Sequence, residues 1–239
     1  ELILNFGENI VANGDRGFVP EFDVQPAIGS YGAVEGIKSG STMGGVSDGK
    51  YLYVSLNPGD NTKTVVYKID AETYAKVAQS AIIPTGALSE WAGDNSQLFI
   101  KGDTLYCVIF DNKILSVKLD SFVNNCTFTD STGLPFDAAF AAMTERETTV
   151  KGVYWSEAVA RYVLVDKANG MYILDESGDI LGEMVSLNAV DEMVHNAYAN
   201  SGAEYSYGVV SVPHESKGEQ IVLVTNNKDV TQDGLHSFI

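Results

Sequence analysis

Two short β-type runs, one marked by a tyrosine and one closed by an acid or amide, recur in the same order down most of this chain. The tyrosine run reads Leu52-Tyr53-Val54, Leu105-Tyr106-Cys107, Arg161-Tyr162-Val163 and Ser206-Tyr207-Gly208, with spacings of 53, 56 and 45 residues. The second run reads Tyr67-Lys68-Ile69-Asp70, Val117-Lys118-Leu119-Asp120, Tyr172-Ile173-Leu174-Asp175 and Leu223-Val224-Thr225-Asn226, its end points 50, 55 and 51 residues apart. A period of this length marks an array of small structural units, because one such unit cannot bury its apolar face alone. Phe6 and Asp23 stand 17 residues apart, as Tyr53 and Asp70 do, which extends the series to five units of about 48 residues in a 239-residue chain.

Local signals inside a unit agree with strands. Val65–Ile69 and Ile114–Leu119 are rich in β-branched and apolar residues, which suit a pleated surface. Turn formers separate the paired runs: Asn57-Pro58-Gly59-Asp60-Asn61, Asp111-Asn112-Lys113 and Ala168-Asn169-Gly170, with Glu176-Ser177-Gly178-Asp179 as a further tight turn. Strand, hairpin, strand, turn, strand is the inner-to-outer path through one blade. The expected fold is therefore all-β: a β-propeller of about five blades of four-stranded antiparallel sheet, one domain over residues 1–239. The first unit starts at its second strand and the last has little chain to complete it, so an incomplete propeller from a longer chain is the alternative.

The run Val46-Ser47-Asp48-Gly49-Lys50-Tyr51-Leu52-Tyr53-Val54, followed by Val66-Tyr67-Lys68-Ile69-Asp70-Ala71-Glu72-Thr73, resembles blades of the YVTN-like and quinoprotein-like propeller repeat families. The resemblance covers most of the chain at the level of blade architecture. It implies a fold and no one activity, since such propellers include binders, scaffolds, lyases and hydrolases. The WD dipeptide, the sialidase-type Asp box and the tryptophan-docking repeat are missing from the sequence. One or two short helical insertions interrupt the pattern. After Pro135, the spacing of Phe136, Ala139, Phe140 and Met143 predicts a helix with one apolar face, and Leu187–Tyr198 reads as a second.

The formal net charge is −17, with 15 Lys and Arg against 32 Asp and Glu. Binding nucleic acid or an anionic membrane needs clustered cations, so neither is an expected partner. No apolar run reaches the ~20 residues of a membrane-spanning helix. Surface acids of this number are expected to keep the protein soluble with no cofactor; the alternative is that some carboxylates collect around a cation such as Ca²⁺. The chain opens at Glu1 without a signal peptide, as a processed secreted chain or an excised piece would. The expected location is extracellular, on the cell surface or periplasmic, in a bacterium.

The chemistry-bearing residues are sparse. Cys107 and Cys126 are too few for a zinc site; read as the first and third strands of one hairpin set, they stand ~9.6 Å apart, too far for a disulfide, and are expected as free thiols. Asn125-Cys126-Thr127 matches the N-glycosylation acceptor pattern. His195, His214 and His236 show no metal-ligand spacing. A nucleophile elbow is missing as well. A glycosidase would need two carboxyls ~5–9.5 Å apart, and Glu8, Asp23, Asp94, Glu157 and Asp166 stand near predicted strand ends. Loops on a rigid scaffold carry most binding groups. Three segments stand out: Thr85–Asp94, Thr144–Thr148 and Asp191–Asn196. From them Glu90, Trp91, Asp94, Arg146 and His195 are the ligand-binding candidates, with Trp91 suited to stacking on a sugar face, while Trp155 reads as packing between blades. The first expectation is a non-enzymatic binding or adhesion module with a glycan or protein ligand. The alternatives are a carbohydrate-active hydrolase or lyase and a structural half of a larger propeller.

Overall fold

The structure is a computed structural model. It describes the backbone of residues 2–3, 21–22, 41–57, 63–84, 97–109, 112–166, 168, 170–186, 206–214, 218–227 and 236–238. Within that set it describes the side chains of 44–56, 63–83, 97–109, 112–166, 168 and 170–186. The expected second helix over Leu187–Tyr198 lies outside the described residues.

Among the described residues five antiparallel sheets follow one another along the chain. The first pairs β1 (Leu2–Ile3) with β2 (Glu21–Phe22). The second runs β3 (Ser41–Ser47), β4 (Tyr51–Asn57), β5 (Lys63–Asp70) and β6 (Lys76–Gln79), with β7 (Ile83–Pro84) also on β5. The third is β8 (Gln97–Lys101), β9 (Thr104–Val108), β10 (Ile114–Lys118) and β11 (Thr129–Asp130). After a helix, α1 (Asp137–Glu145), the fourth is β12 (Val150–Ser156), β13 (Arg161–Asp166), β14 (Gly170–Asp175) and β15 (Val185–Ser186). The fifth is β16 (Ser206–His214), β17 (Gly218–Asn227) and β18 (His236–Phe238). The second to fifth sheets are meanders, and their opening strands lie side by side: β3 by β8, β8 by β12, β12 by β16. Consecutive four-stranded meanders packed through their first strands make a β-propeller.

That packing explains why the middle strands look uniformly apolar. In β5 the six residues Thr64–Ile69 are all buried, and in β13 so are Tyr162–Asp166. The third and fourth blades have a neighbour on each face, so in them the polar-out half of the usual alternation disappears. Between the second and third blades lie Tyr53, Val66, Ile83, Leu98, Leu105 and Cys107. Between the third and fourth lie Phe99, Val108, Trp155, Tyr162, Leu164 and Leu174, with Phe136, Ala139 and Met143 of the helix segment among them. The apolar face predicted for α1 is thus the face it buries, and it fills the seam between two blades.

Both ends of α1 are pinned. Gly178, at φ +96°, sits where a Cβ would overlap the Pro135 carbonyl. At the C-terminus, Thr148 N donates to Met143 O (2.9 Å) and Glu147 N to Thr144 O (3.0 Å), the paired bonds of a Schellman motif. Its left-handed position is held by Glu147, at φ +53°. A side chain there is strained, and a carboxylate faces the negative end of the helix dipole. Glu147→Gly is expected to raise stability by about 1 kcal/mol, read as a higher urea midpoint at unchanged m-value; an unchanged or lower midpoint would count against this description of the cap.

The repeat markers acquire physical meaning. Tyr53, Tyr106 and Tyr162 all fall on second strands, but in different registers: opposite Lys68, Ser116 and Leu174. Tyr53 accordingly packs on Phe122 of the following blade, while Tyr162 packs on Phe99 of the preceding one. Ser206-Tyr207-Gly208 belongs to β16, a first strand, and Leu223–Asn226 to β17, a second strand, so in the fifth blade both markers stand one strand early. The acids that close the third strands build turns. Asp70 Oδ1 accepts from Glu72 N (3.1 Å) and Thr73 N (2.8 Å), and Asp175 Oδ1 from Ser177 N (2.8 Å) and Asp179 N (3.0 Å). The Thr73 bonds hold the Asp70 carboxyl below its ordinary pKa.

Both cysteines are free, as expected, Cys107 on the strand paired with Ile114–Lys118 as read from sequence and Cys126 elsewhere than the third strand of that set. Cys107 lies on the second strand of its blade, and Cys126 lies beyond the third strand, bridged in parallel to Ser80 at the end of the second blade. Burial pushes the Cys107 thiol to about 12 and also raises Cys126, which stays half-exposed. Because the thiolate is the nucleophile, iodoacetamide at pH 8 is expected to label native Cys126 and spare Cys107 until denaturant is added. Equal native labelling by peptide mass would contradict the packing of β9.

Candidate functional site

Antiparallel alternation gives each blade two distinct ends. On the entry face the chain enters β8 at Gln97 and β12 at Val150, and second strands turn into third strands. On the turn face first strands turn into second strands and third into fourth. The seam between the third and fourth blades carries a polar cluster at each end.

On the entry face Arg146, just beyond α1, meets Asp166 at the end of β13. Asp166 is fully buried and Arg146 about one-third exposed. Arg146 Nη1 donates to Asp166 Oδ2 and to the Tyr172 hydroxyl (2.8 Å), and Nη2 to Ala168 O (3.1 Å). Tyr172 in turn donates to Asp166 Oδ2 (3.1 Å). The other carboxylate oxygen accepts from Ala168 N and Gly170 N, both at 2.8 Å. Four donors thus satisfy one buried carboxylate, which is what a buried charge requires. A Cβ on Gly170 would overlap the guanidinium and Asp166 Oδ2, so the turn must be glycine. The hydrogen bond to Tyr172 and the charge of Asp166 hold the guanidinium above its ordinary pKa.

On the turn face Lys101, at the end of β8, crosses to the fourth blade. Its Nζ lies 4.0 Å from the centre of the Trp155 ring and donates to the Tyr162 hydroxyl (2.9 Å) and Glu176 Oε1 (3.1 Å). Burial lowers the Lys101 pKa, but the bonds to Tyr162 and Glu176 outweigh it and the net shift is upward. Beside it, Glu157 Oε1 accepts from Gly102 N (2.7 Å). Trp155 is packed in the seam, as read from sequence, 4% exposed.

Of the ligand-binding candidates the structure describes Arg146; Glu90, Trp91, Asp94 and His195 lie outside the described residues, as do Glu8 and Asp23. The two described acids do not converge. Glu157 precedes β13 and Asp166 ends it, so six strand residues, roughly 17 Å, separate the two ends, well beyond a glycosidase pair. Arg146 and Asp166, proposed from sequence on separate grounds, form one cluster. Lys101, Tyr162 and Glu176 were not among the candidates, and nothing in the sequence pairs residues 75 positions apart. Among the described residues no group of three or more metal-ligating side chains comes together.

No protein-family model matches the sequence, and no curated protein is significantly similar to it. Among solved structures the chain is similar to the RRP9 WD40 repeats (11% identity, 83% of this chain and 51% of that one, TM-score 0.37). It is similar to the Neurospora crassa Pan2 WD40 domain (8% identity, 83% and 50%, TM-score 0.36). It is also similar to BamB from Moraxella catarrhalis (9% identity, 75% and 41%, TM-score 0.32). The chain thus spans about half the length of these structures or less.

Proposed function

We propose that this chain is a non-enzymatic binding module, extracellular or periplasmic, that holds a glycan or protein ligand on the loops of a rigid propeller. The observation that supports it most is the use made of its seam acids. Asp166 is enclosed by four donors and Glu157 latches one blade to the next, so both are committed to holding the scaffold. A hydrolase or lyase needs carboxyls free to exchange protons with a substrate. The segment leading into β8 supplies Glu90, Trp91 and Asp94, an indole for stacking on a sugar face with acids for its hydroxyls. A glycan-array screen of the purified chain, with and without calcium, tests this. Reproducible capture lost in Trp91→Ala is the expected result; silence across the array in both conditions would remove the glycan and leave a protein ligand.

A further inference from the structure

Among the described residues the large apolar side chains left in water are Tyr74, Val77, Ile82, Val123, Val159 and Leu181. Three of them, Tyr74, Val123 and Val159, stand on turns of a single face. Tyr74 belongs to the second blade, Val123 to the third and Val159 to the fourth. Backbone bonds join the two kinds of turn into one surface: Ala71 N to Lys50 O (3.0 Å) and Leu119 N to Asp103 O (2.9 Å). The Gly102–Glu157 and Lys101–Glu176 bonds carry that surface across the seam. Single exposed apolar residues are ordinary, but apolar tips gathered on one face mark an interaction surface.

The charge around the tips identifies the occupant. Asp48, Glu72, Asp103, Asp120, Glu157 and Asp179 are exposed on the same turns. Of the cations there, Lys118 is engaged on Asp103 and Lys101 on Glu176, Lys50 lies over the Tyr51 ring and Arg161 donates to Ala160 O, so carboxylates are in excess. We propose that the turn face docks a cationic segment of a partner protein with apolar or aromatic side chains between its Lys and Arg residues. The apolar groups cover the tips, and the cations meet the turn carboxylates and set orientation and on-rate. This rests on the binding-module reading but uses a surface other than the segment that carries Trp91.

The probe is a short fluorescein-labelled peptide alternating lysine with leucine and phenylalanine, titrated with the full chain by fluorescence anisotropy. Saturable binding is expected, weakened about tenfold in Tyr74→Ser/Val159→Ser and unchanged in Trp91→Ala. An all-lysine peptide should bind more weakly. Absence of binding, equal binding by the double variant, equal binding of the all-lysine peptide, or loss in Trp91→Ala would each overturn the proposal. Should the double variant melt early, Glu72→Lys/Asp120→Lys on the same exposed turns must weaken the peptide instead. Loss of glycan capture with peptide binding retained would sink the Trp91 reading alone.

Discussion

Replacing Arg146 by methionine will cost the protein about 3–5 kcal/mol, read as a fall in the urea midpoint. The size follows from what the substitution leaves behind. Asp166 is fully buried, and methionine keeps the aliphatic stem while removing its cationic partner. The carboxylate would retain the Tyr172 hydroxyl and two backbone N–H groups, which do not neutralise it. Taking away the charge as well should recover most of the loss, because replacing both partners of a buried pair by apolar groups is often neutral. Arg146→Met/Asp166→Leu is therefore expected to be more stable than Arg146→Met alone. An Arg146→Met chain as stable as wild type would mean that the pair is not closed in solution.

Phe136→Ala should be comparably damaging, about 3–5 kcal/mol. Phe136 is 1% exposed and meets Tyr162 edge-on at 4.8 Å and Phe140 at 5.6 Å, with Phe99 tilted at 6.0 Å. These rings come from the helix and from both blades, so the cavity opens where three elements meet and no one of them can collapse into it. Near-UV circular dichroism should weaken together with the denaturation midpoint. A loss under 1 kcal/mol would show that α1 rests on the blades without holding them together.

Much of the architecture was legible because blades repeat. Three of the four tyrosine markers found second strands, and the acid markers found the turns that Asp70 and Asp175 build. The short helix was legible from Pro135 and four apolar positions. Register was not. A tyrosine shifted by one position faces the other neighbouring blade, and sequence spacing carries no information about which neighbour that is. The fifth blade was misread by one strand because both of its long strands are apolar runs with similar ends. Cys126 was placed on a third strand because the segment after β10 looks strand-like, whereas its backbone pairs with the preceding blade. At the site, Arg146 and Asp166 were each visible as loop charges. Their union, 20 residues apart, required the helix to run the length of the seam and deliver Arg146 to the far end of β13.

The reading of this chain as a binder and not a catalyst is tested most directly by incubating it with the glycans it captures and examining them by mass spectrometry. The account predicts that every bound glycan is recovered intact, with capture lost in Trp91→Ala and unaffected by Glu157→Gln. Time-dependent cleavage that disappears in Glu157→Gln or Asp94→Asn would contradict it.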